Sequence, residues 1–165
     1  MPVRDGGPLL DEALKDLARQ TFADLEIVVV DDGSTDDTPQ RLARFAAEAP
    51  ERRRVIHQEP AGLVAALNAG LQRVRGEIVV RMDADDRCHP DRVRRQVDYL
   101  DGRLDVAGCG TQIQIFPRDQ LTDGMARYER WQNGLMTPQA MERELLVEAP
   151  LCHPSVALRT AALWD

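Results

Sequence analysis

The stretch Glu26-Ile27-Val28-Val29-Val30-Asp31-Asp32-Gly33-Ser34 decides the fold. Its apolar part is β-branched, too short for a helix and apolar at successive positions. That is the pattern of a strand buried on both faces, as in a parallel sheet. The strand stops abruptly at Asp32-Gly33-Ser34, where turn formers replace apolar residues. The same pattern returns at Glu77-Ile78-Val79-Val80-Arg81-Met82, which ends in Asp83-Ala84-Asp85-Asp86.

Outward from these two acid-tipped strands, helices and strands alternate. Leu9, Leu10, Ala13, Leu14, Leu17 and Ala18 recur at the spacing of one helix face, and Gly6, Gly7 and Pro8 mark its start. A helix from about Thr35 to Ala49, closed by Pro50, precedes a short strand at Arg54 to His57. A helix from Gly62 to Arg75, with Leu63, Leu67 and Leu71 on one face, leads into the second acid-tipped strand. Pro90 suits the first turn of a helix running to about Leu100. Further on, strands are expected at Val106 to Cys109 and Gln112 to Phe116, a loop over Pro117 to Asn133, and a helix at Pro138 to Val147. A strand at Ser155 to Leu158 and a helix start at Thr160 follow. The alternation implies one α/β domain over residues 1–165, layered on a mainly parallel sheet.

The net charge of -7 argues against nucleic acid as a partner, since neutralising phosphates takes a concentrated basic surface. The cluster from Arg87 to Arg95 alternates with Val93 and Val97, so it reads as the solvated face of an amphipathic helix. Cys88, Cys109 and Cys152 are widely and irregularly spaced, which fits neither a disulfide framework nor a zinc site and points to a reducing, cytoplasmic setting. No apolar stretch approaches the roughly 18 residues of a membrane helix, although a longer parent protein could be membrane-peripheral.

Carboxylates at the ends of separate parallel strands converge where α/β folds bind their ligands, beyond the carboxyl ends of the strands. Hard oxygen ligands of this kind suit Mg2+ or Mn2+, which would screen a diphosphate. For Asp32-Gly33-Ser34, an ordinary turn and a ligand site both remain open. For Asp83-Ala84-Asp85-Asp86 the ligand reading is stronger, because three acids in four positions repel unless something binds them. An EF-hand loop starting at Asp83 fails at Arg87, Cys88 and Arg94, and there is neither a P-loop nor a Gly-x-Gly-x-x-Gly. A receiver domain would need a late-strand lysine, and the chain's lysine is Lys15.

Seven segments resemble, in order and spacing, the family 2 glycosyltransferases. They are Pro2-Val3-Arg4-Asp5-Gly6-Gly7, Gln20-Thr21-Phe22, Val29 to Asp36, Leu67-Asn68-Ala69-Gly70-Leu71, Gly76-Glu77, Asp83-Ala84-Asp85-Asp86 and His89-Pro90-Asp91-Arg92. The resemblance implies a GT-A fold that binds a nucleoside diphosphate sugar, UDP- or dTDP-linked, and transfers the sugar with inversion to an acceptor that the sequence does not identify. It places Asp32 at the base and Pro2, Val3, Arg4 and Asp5 beside base and ribose. Asp83-Ala84-Asp85 matches the family's Asp-x-Asp motif, with Asp85 on the metal and Asp83 on ribose or metal. Asp31 would touch the nucleotide or cap the following turn; Asn68 would hold the loop at the diphosphate or cap locally. His153 in His153-Pro154-Ser155 would lie on the acceptor side or serve structure. The resemblance also implies departures: the usual first strand is lacking, Leu67 replaces an arginine, and no residue matches the catalytic base. A non-catalytic nucleotide-binding or scaffold fragment of the same fold is the alternative. A nucleotidyltransferase would share the layout but needs a Gly-rich phosphate loop.

Overall fold

In the computed structural model, which describes residues 1–164, the elements follow in the order β1 Pro2–Val3, α1 Leu10–Ala18, β2 Ile27–Asp32, α2 Thr38–Ala47, β3 Arg53–Gln58 and α3 Leu63–Leu71. They continue with β4 Ile78–Val80, α4 Arg92–Asp101, β5 Gly108–Cys109, α5 Asp123–Gly134, α6 Pro138–Glu144 and β6 Ala157–Arg159. The strands form two sheets. One is parallel with order β1-β2-β3, and β2 runs in register with β3 from Ile27 opposite Arg53 to Asp32 opposite Gln58. The other has order β4-β6-β5, with β6 antiparallel to both neighbours. Among the described residues no helix is long and apolar enough to cross a membrane.

The main core fills the space between the parallel sheet and the α1–α2 layer. Val3, Leu10, Leu14, Ile27, Val29, Leu42 and Phe45 make up this cluster. Side chains alternate between faces along a strand, so Val29 turns to this core while Val30 turns to α3, against Gly70. The β-branched run is thus apolar throughout because both of its faces are covered, as the sequence predicts.

Four expectations change in detail. The first strand, expected to be lacking, is present in short form: Met1 precedes a two-residue β1, and Met1 exchanges bonds with β2 through Val28 O at 2.8 Å and Val30 N at 2.9 Å. The two acid-tipped strands do not share one sheet edge, because β4 pairs with β6 and not with β1. The segment from Gln112 to Phe116 forms no strand; Ile113 N donates to Asn133 Oδ1 at 2.7 Å and Ile115 N to Glu129 Oε2 at 2.6 Å. The acceptors sit on α5, in the stretch expected to be a loop, so side chains replace a ladder partner.

Candidate functional site

The paired aspartates that end β2 leave on opposite faces and do different work. Asp31 is 2% exposed, and its Oδ1 accepts from Ser34 N at 3.0 Å while Oδ2 lies 3.0 Å from His57 Nδ1. It therefore caps the turn after the strand, one of its two expected roles. Asp32, 4% exposed, accepts from Gln58 Nε2 at 2.6 Å and from the backbone N–H groups of Ala61 and Gly62, both at 2.8 Å. The Ala61 N–H and the Gln58 amide hold its carboxyl below the ordinary range against the effect of burial, and the charge of Arg4 adds to them. Asp32 thus anchors the loop after β3, and one lone pair on Oδ2 remains for a ligand donor.

The turn that follows them strains against any side chain at Gly33. Its φ is +70°, and a Cβ there would lie 2.5 Å from Pro60 Cγ. Pro2 and Val3 are buried in β1, whereas Arg4 and Asp5 are exposed. Asp5, at φ +48°, donates its N–H to Ser34 Oγ at 2.9 Å and accepts from Thr35 N at 2.7 Å. The Pro2–Asp5 segment and the turn after β2 are laced together.

The second acidic tip reaches the first through packing. Ala84 lies against the main core cluster, and the Met1 amine feels the charges of Asp83 and Arg81, which puts the Asp83–Asp86 loop near the start of β1. Asp83 is forked by Arg81 at 3.2 to 3.3 Å. Asp85 is exposed and makes no hydrogen bond among the described residues. Burial, reinforced by the charges of Asp85 and Asp83, pushes the Asp86 carboxyl above its ordinary range. The described residues contain no ready-made group of three or more metal-ligating side chains. Two carboxylates in a crowded anionic loop nevertheless fit a hard divalent ion that completes its shell with phosphate oxygens and water, as Mg2+ does.

Asn68 projects from α3, exposed and with no side-chain hydrogen bond among the described residues, so the local cap is not formed. His153 is exposed at the start of a 3-10 turn spanning His153–Ser155. That turn is tied to the acidic loop by residues the sequence reading left aside. Arg92, 9% exposed, donates through Nη2 to Arg81 O and Pro154 O, each at 2.7 Å, and through Nε to Gln96 Oε1 at 3.1 Å. Gln96 in turn donates to Ser155 O at 2.9 Å. Arg87 forks Asp16 of α1 at 2.7 and 3.3 Å. The basic run from Arg87 to Arg95 is therefore not one solvated face: Arg94 and Arg95 are exposed, but Arg92 is a buried clamp. Its i, i+4 pairing with Gln96 on α4 was the one visible sign.

An α/β layer that carries acidic loops at the ends of β2 and β4 has the architecture of nucleotide-sugar-dependent glycosyltransferases. Structural likeness agrees. A mannosyltransferase from Pyrobaculum calidifontis, in complex with GDP-Man and Mn2+, superposes with a TM-score of 0.70 at 24% identity over 99% of this chain and 44% of that one. S. aureus TarS in complex with UDP-GlcNAc superposes with a TM-score of 0.70 at 22% identity, over 99% of this chain and 45% of that one. The sequence model for glycosyl transferase family 2 matches residues 1–165, and the chain belongs to that family. It is 35% identical over 119 residues to an uncharacterized glycosyltransferase of Bacillus subtilis (strain 168), EpsJ, covering 72% of this chain and 34% of that protein. The chain spans about a third of the length of the first curated relatives it matches.

Proposed function

We propose that the chain forms the donor side of a glycosyltransferase that moves a sugar, with inversion, from a uridine or thymidine diphosphate carrier to an acceptor hydroxyl. The observation that carries this reading is the charge crowding of Asp83, Asp85 and Asp86, together with a turn after β2 ordered by Asp31 and Asp5 and a loop after β3 ordered by Asp32. In it, Asp32 offers its remaining lone pair to a base N–H, and Pro2, Val3, Arg4 and Asp5 flank base and ribose. Asp85 and Asp83 hold Mg2+ or Mn2+, with Ala84 fixing the loop against the core. The ion supplies Lewis-acid stabilisation of the leaving diphosphate. Asn68, free on α3, faces the diphosphate, and His153 lies toward the acceptor. A general base elsewhere in the intact protein takes the acceptor proton. The solved complexes with GDP-Man and Mn2+ and with UDP-GlcNAc support a nucleotide-sugar donor. The three free cysteines support a reducing, cytoplasmic setting.

Thermal unfolding with Mn2+ and UDP tests the reading. At a ligand concentration 100 times Kd, stabilisation is about 2.7 kcal/mol, roughly 5–10 °C in Tm for a domain of this size. The shift is expected to vanish in Asp85→Ala. If UDP, dTDP and GDP with Mn2+ all leave Tm unmoved, the donor site is refuted.

A further inference from the structure

Asp83 already has a cation. Arg81 lays Nε and Nη2 on its carboxylate, at 3.2 to 3.3 Å, and both side chains are partly exposed, at 23% and 29%. Residues two apart in extended backbone share a face, which makes the fork possible. Among the described residues, Arg81 is the one cationic side chain in ion-pair distance of Asp83, Asp85 or Asp86. Its third guanidinium nitrogen, Nη1, donates to no acceptor among them. The backbone beneath is pinned on both sides: Arg81 N donates to Val156 O at 2.9 Å and Arg81 O accepts from Arg92 at 2.7 Å. Only the side chain is free to swing.

A divalent ion that takes an Asp83 oxygen sets its charge against the guanidinium already engaging both oxygens, so the two cations compete for one carboxylate. We propose that Arg81 is a built-in counter-ion, competing with the divalent ion for Asp83 and, once displaced, turning its planar fork onto the donor's diphosphate. The inference rests on the donor-site reading above. Guanidinium groups bind carboxylate and phosphate with the same bidentate geometry, so the exchange swaps one fork partner for another. It also supplies a positive group to the diphosphate, where Leu67, partly buried on α3, supplies none.

Titration calorimetry separates the outcomes, with MnCl2 alone and with UDP at saturating Mn2+, on the unaltered chain, Arg81→Met and Arg81→Lys. Arg81→Met is expected to bind Mn2+ alone about fivefold more tightly, the scale of a partly exposed ion pair. The same variant is expected to bind UDP with Mn2+ about tenfold more weakly, the scale of a lost charged hydrogen bond. Weaker or unchanged Mn2+ binding would mean Arg81 merely supports Asp83 and would overturn the proposal, as would unchanged UDP affinity. Circular dichroism checks folding. Should Arg81→Met not fold, Arg81→Lys, which keeps the charge but cannot fork, decides on the second sign: UDP with Mn2+ is expected to bind more weakly, and an unchanged UDP affinity would overturn the proposal. If the unaltered chain binds neither Mn2+ nor UDP, the donor reading fails and this inference with it. If it binds both and neither variant differs, only the counter-ion role falls.

Discussion

Adjacent aspartates at the end of one strand illustrate how little a residue's type says about its task. Asp31 turns inward, is enclosed and bonds Ser34 and His57; Asp32 turns to the α3 side and gathers the loop after β3. The predicted consequences differ. Asp31→Ala leaves the half-buried Ser34 N–H without its acceptor and is expected to cost about 1–3 kcal/mol in urea unfolding. Asp85→Ala, at an exposed position with no hydrogen-bond partner among the described residues, is expected to stay within about 0.5 kcal/mol, so its effect on ligand binding would not be confused with unfolding. Gly33→Ala meets Pro60 and a positive φ together, and urea titration is expected to show a loss of about 1–3 kcal/mol. The acids were legible from the sequence. Their partners were not, because Gln58, Ala61 and Gly62 lie 26 to 30 residues away along the chain.

At the level of elements, α4 is the brace of the site. Its Arg92 and Gln96 stitch the end of β4 to the His153–Ser155 turn, and burial pulls the Arg92 guanidinium below its ordinary value, with Cys88 and Asp86 opposing. Arg92→Met would leave the half-buried Arg81 and Pro154 carbonyls and Gln96 Oε1 without this donor and is expected to destabilise by about 3 kcal/mol, seen as a lower urea midpoint. Gln96→Leu removes the bridge to Ser155 O and leaves Arg92 Nε without its acceptor, and is expected to cost about 1–3 kcal/mol by the same measurement. The apolar periodicity of α4 was readable, since Val93 and Leu100 are buried. The burial of an arginine on that helix was not, because amphipathic patterns assign charge to solvent. Helix α5 escaped notice for a related reason: Gln132 is its one buried residue, so it carries no apolar stripe. What starts it is the Thr122 hydroxyl, which accepts from Met125 N.

The whole molecule is two small sheets braced by shared acids, and this shapes its response to pH. Burial alone would raise the Asp16 carboxyl, but the Arg87 fork and the Cys88 N–H outweigh it and hold it low. Asp32 is held low by Ala61 and Gln58, Asp36 by Thr38, and Glu129 by the Ile115 N–H. A carboxyl depressed in the folded state stabilises above its unfolded pKa and loses that contribution as pH falls through its folded value. With an ordinary Asp value of 3.8, stability is expected to decline below about pH 4. Asp86, which is raised, acts in the opposite direction and is outnumbered. Urea midpoints between pH 3 and 7 check this, and Asp16→Asn should flatten the acid limb.

Taken by itself, the amino-acid sequence determined the α/β alternation and the two acid-tipped strands, since these rest on periodicity that local chemistry dictates, and its seven ordered segments carried the resemblance to the family. The tertiary structure alone decided that β4 pairs with β6 and that Ala84 carries its acidic loop to β1. It alone assigned Asp32 to the loop after β3, Arg92 to the Arg81 and Pro154 carbonyls and Arg81 to Asp83. Strand partners and buried ion pairs depend on which surfaces meet, and no spacing along the chain encodes that.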